Sequence, residues 1–299
     1  MTKKENMLRK LKKCEKKAQF TEKHLKGPGL LKKIKRLFFW RQKYFLHVFS
    51  LLVKSIDKKA KLFFGKEIVV PIADSIAFSL YRLKSLNFRE MPLTKFFIKN
   101  AKKEDVFYDI GANYGFYSFL CQEIIHNEGE IHAFEPNKKV FKYLKLNIGD
   151  GKKFYLNKKA VSNKNGEIVF FNNLNNSATS SIIPSKNIDN KKNKEKVKSI
   201  TLDKYVQNHT APTIIKIDVE GAEEKVLLGG KKFLKNNSPI ISLEVWEKDR
   251  GRKYHLKAIN FLKKLGYSMF RIKNDGELEK IEKINFDKMT GFKNFIFKK

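Results

Sequence analysis

Residues 106–135 read VFYDIGANYGFYSFLCQEIIHNEGEIHAFE, and the rest of the chain is organised around them. Val106–Ile110 is a short apolar run bounded by charge, the pattern of a buried parallel strand. It breaks into Gly111-Ala112-Asn113-Tyr114-Gly115, a tight turn in which two residues without a Cβ let backbone approach a ligand. A helical pattern follows from Phe116 to about His126, and a second apolar strand, Ile131–Phe134, ends on Glu135. This is a β-turn-α-β unit, with 26 residues from Asp109 to Glu135. Nucleoside cofactors use such a unit: the turn meets the ligand and the carboxylate closing the second strand takes the ribose hydroxyls.

The type of nucleoside follows from what the turn lacks. It is G-x-x-x-G rather than G-x-G-x-x-G, and no G-x-x-x-x-G-K-[ST] occurs, so a pyrophosphate cradle is disfavoured. An acid, Asp109, stands just before the turn. A carboxylate there repels phosphate and suits a cation, such as the ammonium and sulfonium of S-adenosylmethionine.

Outward from this unit, strand-like and helix-like patterns alternate. Pro136-Asn137 starts a helix to about Asn147, and Lys153–Leu156 is a third strand. Ala160-Val161-Ser162, Asn165-Gly166 and Glu167–Phe171 read as strand, turn, strand. Pro184–Lys198 reads as a charged, low-complexity loop. Ile214–Ile217 is a fourth core strand and Ala222–Asn236 a helix broken at Gly229-Gly230. Ile240–Val245 is a fifth strand and Tyr254–Leu265 a helix. Gly266–Arg271 and Phe292–Phe297 read as a final antiparallel pair at the edge. Such alternation gives an α/β fold with a mainly parallel sheet. Upstream, residues 66–70 read as a strand ended by Pro71, Ile72–Leu83 as a helix or a turn-rich cap, and Met91–Lys99 as a helix.

Three segments, DIGANYGFYS (109–118), AFEPN (133–137) and IIKIDVEGAEEKVLLGG (214–230), resemble the FkbM-type family of S-adenosylmethionine-dependent methyltransferases. The resemblance covers roughly residues 100–299, and the third segment is its most specific part. It implies a class I methyltransferase-like, Rossmann-like fold and methyl transfer to a hydroxyl of a sugar, glycan, lipid-linked glycan or other small natural product.

Within that frame, four acids fall near strand ends where an open α/β sheet binds its ligand: Asp109, Glu135, Asp218 and Glu244. Asp109, Gly111, Asn113 and Gly115 are expected at the methionine part of S-adenosylmethionine, Glu135 at the ribose, and Phe134, Ala160 and Val161 at the adenine. Asp218 is the first choice for positioning or deprotonating the acceptor hydroxyl. Lys216, two residues earlier, shares its strand face. Glu220 and Glu223 follow in the turn; for both, a helix N-terminal acid favoured by the dipole is the competing reading. Glu244 stands equally as a substrate contact or a core salt-bridge partner, and Trp246 and Glu247 as contacts to a sugar or packing residues. His255 is a minor candidate base and His132 a structural residue. Asp218, Glu220 and Glu244 are hard oxygen ligands suited to Mg²⁺, but no required metal is expected.

The net charge is +33, from 64 Lys+Arg against 31 Asp+Glu. Such a field favours anionic partners, although Lys enrichment runs through the whole chain. Residues 1–60 alone carry +15. Residues 1–26 are Lys-rich with little apolar periodicity beyond Leu8 and Leu11. Residues 30–54 place Leu30, Ile34, Leu37, Tyr44, Val48 and Leu51 at helical spacing among Lys and Arg: a basic amphipathic helix, either interfacial at an anionic membrane or docked on the core. The expected organisation is a basic helical extension (1–65), a lead-in (66–100) and the catalytic domain (101–299). Two cysteines without metal spacing, no apolar leader and no long apolar run predict a cytoplasmic protein, peripheral to the membrane inner face if the 30–54 helix is interfacial.

Nucleic acid is the less favoured partner class. Base N-methylation goes with an Asn/Asp-Pro-Pro-aromatic motif, and the chain has no Pro-Pro. C5 methylation needs a cysteine nucleophile, and Cys121 falls in the helix after the turn. An RNA ribose 2′-O-methyltransferase recruiting Lys216, Asp218 and Glu244 stays open as the alternative. A non-catalytic membrane-surface scaffold is the second alternative, against which both glycines and all four strand-end acids speak.

Overall fold

The computed structural model describes residues 1–24, 49–50, 56–125, 128–148, 153–173, 177–184, 193–246, 252–286, 289 and 291–299. Apart from residues 49 and 50, the expected 30–54 helix lies outside the described residues, as do residues 185–192 of the expected loop and Glu247.

Helix α1 (Lys3–His24) forms where the sequence pattern predicts little structure. Met7, Leu11, Cys14 and Ala18 recur at helical spacing on one face, and all four are buried in the same core as Phe96, Phe97 and Phe119. A cysteine and an alanine carry half of that stripe, which is why it does not read as apolar. Lys95 Nζ reaches both carboxylate oxygens of Glu15 at 2.8 Å, and Lys4 Nζ donates to the Ala101 carbonyl at 2.6 Å. The N-terminal helix is therefore built onto the core that carries the catalytic-domain pattern.

Strands β1 (Asp57–Lys61) and β2 (Glu67–Pro71) form an antiparallel hairpin. The division expected at residue 65 falls in its turn. Helix α2 (Ser75–Leu83) is capped by Asp74, which accepts from the Ile76 and Ala77 N–H at 2.9 and 3.1 Å. A 3₁₀ turn, Phe88–Glu90, leads into α3 (Met91–Asn100).

The central unit is β3 (Val106–Ile110), α4 (Phe116–Ile125), β4 (Glu130–Phe134), α5 (Lys138–Ile148) and β5 (Phe154–Asn157). Then come β6 (Ala160–Val161), β7 (Gly166–Phe171), β8 (Lys194–Ile200), α6 (Leu202–Tyr205), β9 (Ile214–Ile217), α7 (Glu223–Gly229), α8 (Lys231–Asn236) and β10 (Ile240–Trp246). The chain ends with α9 (Arg252–Lys264), β11 (Ser268–Ile272), β12 (Leu278–Ile281) and β13 (Phe292–Lys298).

Eight strands form the main sheet in the order β12-β11-β13-β10-β9-β3-β4-β5. Strands β10, β9, β3, β4 and β5 run parallel, while β13 lies antiparallel between β10 and β11. The expected antiparallel pair thus forms, but β12 takes the edge beyond it. Strand β3 is buried at every position. Its side chains alternate between two cores: Phe107 packs with α1, α3 and α4, while Val106, Tyr108 and Ile110 pack with α6, α7 and α9. From β3 the chain winds outward through β4 and β5, then returns to β9 on the opposite side. The point between β3 and β9 is the topological switch, where such sheets bind ligands.

A second sheet, β6-β8-β7, corrects two expectations. Strands β6 and β7 are not a hairpin: β8 inserts between them, parallel to β6 and antiparallel to β7. Lys194–Lys198, expected in a loop, belongs to β8. Its inward side chains are Val197 and Ser199, and the intervening lysines stay exposed on the solvent face, so period-2 alternation is masked by charge.

Candidate active site

One cavity opens at the carboxyl ends of β3, β4, β9 and β10. It runs from Ala160 and Val161 past Phe134, Glu135 and the Gly111–Asn113 turn to Lys216, Asp218, Glu220 and Glu244. These residues, distant in sequence, are brought together as the α/β pattern requires.

At the β4 end, Glu135 is held by backbone. Its two oxygens accept the N–H of Asn113 at 2.9 Å and of Asn137 at 2.8 Å. A carboxylate offers about four lone-pair sites, so two remain for ligand hydroxyls. Burial pushes its pKa up to about 7 against the pull of those two N–H groups. Asn113 takes a left-handed conformation (φ 52°), and its Nδ2 donates to Ser177 Oγ at 3.1 Å. Ser177 N–H in turn donates to Asp74 Oδ2 at 2.6 Å, so the α2 cap, the Gly turn and the Ser177–Thr179 turn close on one another beside the cavity.

The glycines serve packing more than ligand approach. A Cβ on Gly111 would lie 1.9 Å from the Asp218 carbonyl oxygen, and its φ is +83°. Its role is to let the turn lie flat against the end of β9, although it also lines the cavity. Gly115 does not line the cavity; a Cβ there would meet Leu144 at 2.6 Å and Phe119 at 2.7 Å. Asp109 is likewise displaced from its expected role. It is 1% exposed and lies beneath the turn, where Oδ2 accepts from Ser118 Oγ at 2.6 Å and Oδ1 lies 3.6 Å from Lys216 Nζ. It is outside the cavity lining and adjoins it through Lys216.

At the β9–β10 end, sheet register assembles the charges. Lys216 is in register with Asp109 on one side and Ser242 on the other, and Glu244 faces Asn294. In-register neighbours and i, i+2 positions point to one face, so Asp109, Lys216, Glu244 and Asn294 all project toward α3 and α4. Lys216 Nζ lies 3.0 Å from Asp218 Oδ2 and 5.2 Å from the centre of the Tyr117 ring. Burial opposes its charge, but Asp218, Asp109 and Glu90 outweigh burial and raise its pKa, so it is a protonated lysine. Glu244 accepts from Trp246 Nε1 at 2.7 Å. Burial, then Asp218, Glu220 and Glu90, push its pKa well above the usual carboxylate range. Glu220 is buried in a left-handed conformation (φ 57°) and lines the cavity.

Glu90 completes this end and was not among the expected residues. It accepts from Tyr117 Oη at 2.7 Å and Asn294 Nδ2 at 3.3 Å, and burial, then Asp218, raises its pKa to about 7. In sequence it is an acid just before a helix, an ordinary dipole-favoured position, so nothing local sets it apart. Trp246 also lines the cavity, its ring 5.1 Å from Phe292. His255 does not line it: it is buried on α9, with Nδ1 3.4 Å from Glu223 Oε2. Glu223 Oε1 accepts the Gly221 N–H at 3.1 Å, so Glu223 bonds the loop that carries Glu220 rather than facing the cavity. His132 stacks on Tyr155 and bonds Tyr205 and Glu130 away from the cavity, a structural role.

Asp218, Glu220 and Glu244 each bring one carboxylate oxygen within 4.8 Å of the others. Three hard oxygen donors at that separation fit a divalent cation such as Mg²⁺.

A mainly parallel sheet of this order, a Gly turn after its central strand and an acid closing the next strand define a class I methyltransferase-like fold. The family model described as Methyltransferase FkbM domain matches residues 109–269, more than half of the chain, and the chain belongs to that family. The hexuronic acid methyltransferase AglP of Haloferax volcanii is 25% identical over 171 residues, covering 54% of this chain and 64% of that protein. The match thus spans just under two-thirds of that relative. Methyltransferase FkbM from Methylobacillus flagellatus KT aligns at 13% identity and TM-score 0.42, over 66% of this chain and 44% of the other. Fibrillarin from Aeropyrum pernix, in complex with S-adenosyl-L-methionine, aligns at 13% identity and TM-score 0.41, over 69% and 73%.

Proposed function

We propose that this chain is an S-adenosylmethionine-dependent O-methyltransferase acting on a hydroxyl of a sugar or glycan. The observation that carries it is the continuous cavity from Glu135 to Asp218 in a chain of the FkbM family. The residues fit the cofactor. Glu135 keeps two lone-pair sites for ribose hydroxyls, Phe134, Ala160 and Val161 line the end suited to adenine, and the acid end suits a sulfonium. S-adenosylmethionine supplies an electrophilic methyl group when bound. The chain's part is to hold the acceptor oxygen in line and to take its proton. That proton is assigned to Asp218, whose carboxylate Lys216 holds at 3.0 Å. Trp246 and Phe292 offer flat faces to a sugar ring.

Oxygen is favoured over carbon as the acceptor. Cys121, the cysteine nearest the turn, is fully buried on α4 and outside the cavity lining, and burial first raises its thiol pKa well above normal. RNA ribose methylation is the weaker reading: among the described residues only Lys159 and Lys216 bring positive charge to the cavity. Asp218, Glu220 and Glu244 would hold a divalent cation if one is required. Loss of activity in chelator, restored by Mg²⁺, would establish that requirement. We further propose attachment to an anionic membrane surface. Arg9, Lys12, Lys13, Lys16 and Lys17 lie exposed on α1, and the amphipathic pattern of residues 30–54 follows. Among the described residues no helix is long and apolar enough to cross a membrane. Pelleting with anionic vesicles checks this.

The test of function is methyl transfer from labelled cofactor into a fractionated lysate, with the product treated by glycosidase, nuclease or lipid extraction. Label released by glycosidase supports the reading; label released only by nuclease moves the RNA reading into first place.

A further inference from the structure

Glu90 lines the cavity, yet neither recognition of the ribose nor the proton assigned to Asp218 makes use of it. It closes the 3₁₀ turn before α3 and is 7% exposed. It belongs to the acceptor end: Asn294, which bonds it, shares a face of β13 with Phe292 of the cavity wall. Its two carboxyl oxygens are not equivalent. The Thr94 hydroxyl donates to the Glu90 backbone carbonyl at 2.9 Å, and the Tyr117 hydroxyl donates to Oε2 at 2.7 Å. Asn294 Nδ2 donates to the same Oε2 at 3.3 Å. Two donors occupy both lone pairs of that oxygen. Oε1 bonds no described residue and is not sealed in the core, so it is the oxygen turned to the cavity. Burial, then Asp218, raise the pKa of the group to about 7. With Oε2 occupied, a proton held by Glu90 sits on Oε1. Oε1 therefore donates when protonated and accepts when ionised, and a hydroxyl can answer both.

We propose that Glu90 is a specificity-determining residue of the acceptor site, where Oε1 hydrogen-bonds a second hydroxyl of the sugar while the hydroxyl to be methylated faces Asp218. The inference rests on the sugar-hydroxyl reading above and adds which rings the site takes: those that carry a further hydroxyl within reach of Glu90. Tyr117 comes from α4 and Asn294 from β13, so two separate elements fix the direction of Oε1 before any acceptor arrives. An acceptor without that hydroxyl leaves Oε1 buried and unpaired. A site built to bond a hydroxyl rejects the analogue lacking it more strongly than an apolar pocket rejects a smaller ring.

The experiment uses the full chain, labelled S-adenosylmethionine, Mg²⁺ throughout, and the methyl glycosides of a hexose, a hexosamine and a hexuronic acid. The ring methylated fastest is then compared with its monodeoxy derivatives, beside a calorimetric titration of the cofactor. One derivative, other than that lacking the reacting hydroxyl, should show kcat/KM lower by about tenfold or more. In Glu90→Ala that ratio should close, because the ring hydroxyl and the carboxyl act as a pair, while cofactor affinity stays within a few-fold. A ratio as large in Glu90→Ala as in the wild type, or no derivative poorer than its parent, overturns the inference and leaves sugar methylation standing. A large loss of cofactor affinity in that variant overturns it as well, in favour of Oε1 meeting the ammonium of the cofactor. If Glu90→Ala shows no cooperative melt, Tyr117→Phe is read in its place. Freeing Oε2 from the Tyr117 hydroxyl should narrow the ratio, and an unchanged ratio counts against the inference. Cofactor binding without transfer to any of the three glycosides removes the sugar reading itself, and the inference with it.

Discussion

At one end of the cavity Glu135 is fixed by backbone, through the N–H groups of Asn113 and Asn137. At the other end Asp218, Glu244 and Glu90 are fixed by side chains: Lys216, Trp246, and Tyr117 with Asn294. Backbone donors are neutral and stay put when the ligand leaves. Of the side-chain partners only Lys216 is charged, but the acids at the second end lie close enough together that, after burial, Asp218 raises the pKa of both Glu90 and Glu244. The first arrangement suits constant recognition of one ligand. The second suits proton movement, since groups whose environments push their affinities apart divide acid and base roles.

Gly111 joins the two ends, because its α-carbon lies against the Asp218 carbonyl. Gly111→Val places a side chain 1.9 Å from that oxygen at a φ of +83°. The expected loss exceeds about 4 kcal/mol, the range of severe backbone and packing conflicts. Thermal melts followed by circular dichroism should show no cooperative transition near that of the wild type. A variant that melts normally and merely binds cofactor less well would mean that Gly111 serves the ligand alone.

Lys216→Met leaves Asp109 and Asp218 without their cation. Breaking a buried pair from one side costs about 3–5 kcal/mol, less here because Asp218 is 26% exposed. Urea denaturation reads it directly; a change under about 1 kcal/mol would show that the second end does not depend on this lysine for its stability.

The two ends should also separate kinetically. Asp218→Asn should lower turnover on the order of a hundredfold while cofactor affinity stays within a few-fold, if it takes the hydroxyl proton. Glu135→Ala should do the reverse, weakening cofactor binding by about 1.5–3 kcal/mol. Calorimetric titration beside saturating-substrate rates distinguishes them, and identical profiles in both variants would erase the distinction.

A further difference between the two ends is a pH dependence. Glu135 and Glu90 have pKa values raised from 4.5 to about 7. Between those values the folded chain holds protons that the unfolded chain has released. Stability of the ligand-free protein therefore falls as pH rises through that window, by up to about 3 kcal/mol for each group. Urea midpoints at several pH values across the window should drop accordingly, and Glu90→Gln or Glu135→Gln should each flatten the slope. Cofactor at saturation should flatten only the Glu135 share.

Much of the scaffold was legible because parallel strands buried on both faces are continuous apolar runs, and acids and glycines punctuate their ends. From Val106 to Ile217 the main-sheet strands fall within a residue or two of their expected places. The misses share one cause. Helix α1 hides its stripe in Cys14 and Ala18, and β8 hides its alternation among lysines. In both, the core tolerates weak local signals because partners elsewhere in the chain complete the burial.

By itself the sequence determined the β-turn-α-β unit, the strands that bring Asp218 and Glu244 to the cavity, and the acid, Glu135, that closes β4. These rest on local periodicity and on the rule that open α/β sheets bind ligands at strand ends. Tertiary structure alone decided which of those acids face the cavity. Asp109 turns under the turn because the β3–β9 register sets it beside Lys216. Glu90 joins the site because Tyr117 and Asn294, far from it in the chain, donate to it. Gly111 is a glycine because β9 ends where its Cβ would stand. Register, long-range hydrogen bonds and steric exclusion between distant segments leave no trace in the local spacing of residues, so they could be read only from the folded chain.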